Sequence, residues 1–167
     1  MFAKLFARDI SLVAVIVAAW LLWWPLSVGS GAVADLTGVL LGLGAGIVVH
    51  IGHEWGHLIG AVAAKARVAA PAKLTSVFLF SFDSRRNSQR QFVIMSLSGF
   101  AVTALALMGA YTALPPEALA TRVARGLVVF GAALTVFLET PLLLASLVTG
   151  SILRQVEVFR PVNRETA

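Results

Sequence analysis

Residues 48–64 read "VVHIGHEWGHLIGAVAA". All three histidines of the chain, His50, His53 and His57, fall in this stretch, and Glu54 stands between two of them. The stretch lies inside an apolar run from about Ala32 to Ala64. Such a run suits a helix crossing a bilayer, which needs about 20 mostly apolar residues. Ionisable groups are costly there and are usually kept for function. The segment therefore decides two questions at once: what solvent the fold is built for, and where its chemistry sits.

The rest of the chain agrees with a membrane protein. Of 167 residues, 59% are hydrophobic and 13% are charged; soluble domains average about 25% charged. Three further spans are expected at about Ile10 to Val28, Phe92 to Leu114 and Val123 to Ile152. The aromatic "WLLWWP" (residues 20–25) closes the first as an interfacial belt. Gly29 to Gly31 turns the chain between the first two spans, and Pro115-Pro116 breaks it between the last two. The N-terminal 20 residues have the charge pattern of a signal peptide, but the apolar run continues through Leu26 without a clean small-residue cleavage pattern. It reads as a retained first helix. The fold expected is an all-α integral membrane domain over residues 1–167, with four transmembrane helices in contact with lipid.

Charge gives the orientation. Lys4 and Arg8 precede the first span, and Lys65, Arg67, Lys73, Arg85, Arg86 and Arg90 separate the second from the third. Arg154, Arg160 and Arg164 follow the fourth; only Arg122 and Arg125 lie on the opposite side. The positive-inside rule places both termini and the 65–91 loop in the cytoplasm, as for a bacterial inner-membrane protein. The net charge of +5 is explained by these flanks, so nucleic acid is not an expected partner. There is no cysteine, which excludes disulfides, thiolate nucleophiles and cysteine-ligated metals. Within the loop, "KLTSVFLFSF" (residues 73–82) is β-prone and predicts one or two short strands at the membrane surface.

Returning to the second span, His53 and His57 are four residues apart and share a helix face, about 6 Å apart at the backbone. That spacing suits two nitrogen ligands on one zinc ion, and Glu54 is one step round, near enough to act on a water there. This is the H-E-x-x-H pattern of zinc peptidases. The competing reading is a polar cluster that hydrogen-bonds between helices. His50 is about 10 Å along the axis from His57, too far for one ion on a straight helix. It is expected to orient a ligand or to hydrogen-bond inside the bundle. Gly38, Gly42 and Gly46 form one four-residue ridge, and Gly52, Gly56 and Gly60 another. Small residues so spaced let helices approach closely; Gly56 is also a place where a substrate backbone could pass.

These motifs resemble those of the site-2-protease-like intramembrane metalloproteases. "VVHIGHEWGHLIGAVAAKARV" is similar to the family's first motif, and "RQFVIMSLSGFAVTALALM" to its second helix, with Ser98-Gly99-Phe100 where Ala-Gly-Pro is usual and Thr103 near the usual asparagine. The resemblance covers about residues 38–153. It implies a three-helix core, a β-containing surface segment, zinc, and hydrolysis of peptide bonds in membrane-embedded substrates. It also implies an aspartate as third ligand from the last span. This chain has Val148-Thr149-Gly150 at that place and no aspartate. Glu139 is the only acid in the fourth span and lies within about 5 Å of the depth of His53. It is expected as the third ligand, with a carboxylate bonded to a histidine, or a protonated acid bonded between helices, as the alternatives. Asp83 is expected as a turn residue. The functional expectation is a zinc metalloprotease with Glu54 as base. The alternative is an inactive relative that binds a transmembrane partner, and a weaker one is a small transporter.

Overall fold

The computed structural model describes residues 1–152. Arg154, Arg160 and Arg164, which contributed to the orientation expected above, lie outside the described residues. Helix α1 spans Phe2–Ser27, α2 Ala32–Ala63, α3 Gln89–Thr112, α4 Leu119–Leu134 and α5 Thr140–Thr149. A five-residue π turn, Thr135–Glu139, joins α4 to α5. The fourth span is thus one 31-residue helical segment, Leu119–Thr149. Four helices are long and apolar enough to cross a membrane.

The first span starts eight residues earlier than its apolar run suggests. Lys4 and Arg8 look like flanking charges in sequence, yet residues 2–9 are helical and packed. Leu5 is completely buried, against Leu58 of α2 and Leu79 of the 65–91 loop. Asp9 is buried as well; it pairs with Arg8 at 2.6 Å and accepts from the Trp55 indole at 2.8 Å. Burial of a carboxylate is tolerable when it is paired and hydrogen-bonded in this way.

Helix α2 is the axis of the bundle. At 1.5 Å per residue its 32 residues measure about 48 Å, more than the ~30 Å hydrocarbon core. Its first glycine ridge receives α4. A Cβ on Gly42 would lie 2.5 Å from Val123 Cβ, and one on Gly46 would lie 2.6 Å from Leu127 Cδ1. Only glycine permits that approach. Its second ridge receives α3: a Cβ on Gly56 would lie 2.7 Å from Val102 Cγ2 and 3.0 Å from the Ser98 carbonyl oxygen. Gly56 therefore serves helix packing, and α3 fills the space beside it, which leaves no passage for a substrate backbone there.

The helix ends are satisfied by side chains. Gln91 Nε2 donates to the carbonyls of Ala64 (3.1 Å) and Lys65 (2.9 Å), closing α2, while Ser88 and Gln91 form a capping box that opens α3. Arg125 of α4 donates to the carbonyls of Ala110 and Leu114 and lies over the Tyr111 ring, capping α3 at the other end. One of the two basic residues on the sparsely charged face is thereby used structurally.

Two short strands form, Val68–Ala69 (β1) and Ser81–Phe82 (β2), paired antiparallel with Val68 opposite Phe82. Only the end of the expected β-prone stretch is a strand, and its partner lies upstream of Pro71. Residues 74–80 are irregular because side chains take up their backbone groups. Arg8 donates to the carbonyls of Leu74 and Ser76, Ser76 Oγ to that of Phe78, and Leu79 N–H to Glu54. The core is concentrated at this end. Ala61, Phe82, Phe92, Met95 and Leu143 form one cluster, and Leu5, Leu58 and Leu79 the other. Asp83 accepts from the Arg85 N–H and pairs with Arg86, as a turn residue does.

Candidate metal centre

His53 and His57 project from α2 with their rings edge to face, centroids 4.4 Å apart. Their Nε2 atoms are 2.9 Å from each other. The Glu139 carboxylate reaches both: Oε1 is 3.1 Å from His53 Nε2 and Oε2 is 3.1 Å from His57 Nε2. The side chains are 12%, 11% and 34% exposed for His53, His57 and Glu139, so the carboxylate marks the accessible side. Among the described residues this is the group of three or more histidine and acidic side chains close enough to hold a metal ion.

The far side of each ring fixes its tautomer. His57 Nδ1 lies 3.0 Å from the Met95 carbonyl oxygen. A carbonyl can only accept, so Nδ1 carries the proton and donates. His53 Nδ1 faces the Gly99 carbonyl at 3.2 Å and Thr103 Oγ1 at 2.8 Å; the carbonyl can only accept, so a proton on Nδ1 satisfies it, with the hydroxyl free to take either role. Both Nε2 atoms then present lone pairs to one another and to a carboxylate. With unprotonated Nε2 atoms these groups repel, and either a proton or a metal ion among them relieves the repulsion. The donor set is two imidazoles and one carboxylate, which suits zinc. In a tetrahedral zinc site, neighbouring ligand atoms are about 3.3 Å apart, given bonds of roughly 2.0–2.1 Å. One ligand atom from each residue lies within 4.8 Å of the others, and the two Nε2 atoms, 2.9 Å apart, would need to separate by a few tenths of an ångström.

Each partner is positioned by local sequence. Gly99 is required beneath His57, because a Cβ there would overlap the imidazole ring. Glu139 is aimed by the π turn. Pro141 has no N–H to give the fourth carbonyl before it. The Thr140 N–H bonds instead to the Thr135 carbonyl, five residues back, and Thr140 Oγ1 also donates to it at 3.2 Å. The turn leaves Val136, Phe137 and Leu138 on the outside, 56%, 76% and 60% exposed, and brings Glu139 against α2. π turns inside helices are often found at functional sites.

The other candidates are placed differently. Glu54 is on the same turn of α2 but is hydrogen-bonded to neither histidine; its Oε2 accepts from the Leu79 N–H at 3.0 Å. His50 is exposed and has no hydrogen bond among the described residues. Seven residues before His57, it is nearly in line with that residue around the helix but about 10 Å from it along the axis. It neither orients a ligand nor bonds inside the bundle, contrary to expectation. Met95 O, Gly99 and the Leu79 N–H are parts of the site that residue chemistry did not announce. Two are backbone groups, and the third is the lack of a side chain. No family model matches the chain, and neither a curated protein nor a solved structure matches it.

Proposed function

We propose that the chain is an intramembrane zinc metalloprotease acting on membrane-embedded protein segments. The observation that carries this reading is the convergence of two imidazole Nε2 lone pairs and one carboxylate, with both Nδ1–H groups committed to α3. His53 and His57 would hold zinc through Nε2. Glu139 would supply the carboxylate ligand in place of the aspartate that the resemblance to site-2-protease-like enzymes implies. Zinc, when bound, lowers the pKa of water and polarises a carbonyl.

Glu54 then acts as general base. It takes a proton from the attacking water as the water oxygen joins the scissile carbonyl carbon, and returns it to the amine as the C–N bond breaks. The Leu79 N–H that it accepts ties the base to the 65–91 loop. A substrate segment must be unwound to expose its amide, and the free edge of β2 offers backbone pairing for it. Val77 and Phe78, 66% and 49% exposed, lie just before that edge. Eight basic residues, Lys4, Arg8, Lys65, Arg67, Lys73, Arg85, Arg86 and Arg90, flank the spans on the loop side, which supports a cytoplasmic loop and N-terminus in a bacterial inner membrane.

A second reading is favoured by one observation. Glu54 is already engaged by a backbone N–H, as suits an inactive relative that binds a partner in the membrane. Cleavage separates the two. In proteoliposomes with a pool of transmembrane peptides, the wild type should generate new peptide termini. Glu54→Gln should retain the metal and generate none. Equal cleavage by Glu54→Gln would remove the proposed base, and no cleavage by a zinc-loaded wild type would favour the second reading.

A further inference from the structure

A cleft of about 490 Å³ opens between the end of α2 and the start of α3. Lys65, Arg90, Ser88 and Gln91 form its rim, and Ala63 and Ile94 its floor. The two cations have fixed bases. Lys65 follows the last turn of α2 with φ 57°, and its carbonyl is held by Gln91 Nε2. Arg90 lies in the first turn of α3, behind the capping box of Ser88 and Gln91. Both side chains are exposed, and no ion pair among the described residues involves either.

The floor leads into the apolar surface of the bundle. Ile59 is one turn before Ala63 on α2 and is 64% exposed; Leu97 is one turn after Ile94, and two after Arg90, on α3 and is 52% exposed. The groove therefore has two zones in register with a lipid: two positive charges at the helix ends and an apolar trough running along the spans. Basic pockets between spans at the membrane surface recognise anionic head groups. Phosphate alone would satisfy the rim, but the trough needs acyl chains to cover it.

We propose that this cleft is a binding site for one acidic phospholipid, its phosphate between Lys65 and Arg90 and an acyl chain along Ile59, Ile94 and Leu97. The site does not depend on the proteolytic reading. Its consequence is mechanical: the lipid bridges the ends of α2 and α3, the two helices that carry His53 and His57 and the groups that orient them.

Native mass spectrometry of the purified full chain, in micelles holding equal phosphatidylglycerol and phosphatidylcholine, tests this. The wild type should retain one phosphatidylglycerol in preference to phosphatidylcholine. Lys65→Gln with Arg90→Gln should weaken phosphatidylglycerol retention by about tenfold or more and leave phosphatidylcholine unchanged. Ile94→Trp, which fills the trough and keeps the charges, should weaken it too. Arg122→Gln, on the opposite face, should have no effect. Helical content and metal content check that each variant is folded. Equal retention of the two lipids by the wild type would overturn the proposal. So would an equal loss in Arg122→Gln, which would mark bulk charge, or displacement by glycerol phosphate, which would mark a plain phosphate site. Full retention by the double variant would overturn it as well.

Discussion

The two halves of α2 use the same four-residue glycine spacing for different ends. In the first half, Gly38, Gly42 and Gly46 admit Leu119, Val123 and Leu127 of α4. The side chains in that contact are apolar, and it serves to bring two helices together. In the second half, Gly56 and Gly60 admit Ser98 and Val102 of α3. The close approach there sets α3 carbonyls and a hydroxyl beside the histidine rings: Met95 O for His57, Gly99 O and Thr103 Oγ1 for His53. Small residues in a span thus have two uses. One is packing, which in lipid must replace the hydrophobic drive. The other is delivery of backbone acceptors that hold a ligand in one tautomer.

Substitutions can separate these uses. The largest effect is expected at Gly99. In Gly99→Ala the new methyl overlaps the His57 ring, so the ring must leave its place; zinc affinity should fall by about 100-fold, the upper end of the loss seen when a ligand's support is removed. Metal titration with a competing chelator measures this. Unchanged affinity would mean that the ring is not held over Gly99. Next is Gly42→Ala, which presses on Val123 in the packing half. Overpacking of this kind costs about 1–3 kcal/mol, visible as a lower thermal midpoint in detergent, while zinc stoichiometry stays as in the wild type. A loss of zinc there would show that the two halves are coupled.

Thr103→Val removes the hydroxyl from His53 Nδ1 and leaves the longer contact to the Gly99 carbonyl. Zinc affinity should drop roughly tenfold, within the range for loss of a ligand's orienting partner. The same titration reads it, and a drop as large as that of Gly99→Ala would indicate collapse of the α2–α3 seam instead. The smallest effect is at Gly109, where a Cβ would meet nothing within 4 Å. Gly109→Ala should raise stability by about 0.5–1 kcal/mol through helix propensity, with no effect on metal. A destabilised variant would reveal a partner for that face of α3.

Much of this was legible in the sequence. Apolar runs separated by Gly29–Gly31, a charged loop and Pro115-Pro116 located the four spans, since only helices of such length satisfy their backbone in lipid. The spacing of His53 and His57 and the solitary acid in the fourth span pointed to the three side chains that the structure brings together. Other features depend on contacts that periodicity does not encode. Helix α1 begins at Phe2 because Leu5 and Asp9 find partners on α2 and the loop. Residues 77–80 are not a strand because Glu54 and Ser76 take up backbone groups of Leu79 and Phe78, and Arg8 those of Leu74 and Ser76 just before them. The π turn could be sensed only from Pro141, which forbids the regular hydrogen bond without saying how the helix adjusts. His50 is nearly in line with His57 around the helix, but a separation of about 10 Å along the axis keeps it out of the group, and it is exposed.

The central claim is that His53, His57 and Glu139 form a zinc site. It is tested most directly by the zinc content of the purified chain, measured by mass spectrometry of the metal, for the wild type and for Glu139→Gln. The wild type should carry one zinc per chain after exposure to excess zinc and removal of the unbound ion. Glu139→Gln should carry none, with helical content unchanged. A wild type that holds no zinc, or a Glu139→Gln variant that holds it as tightly as the wild type, would contradict the account.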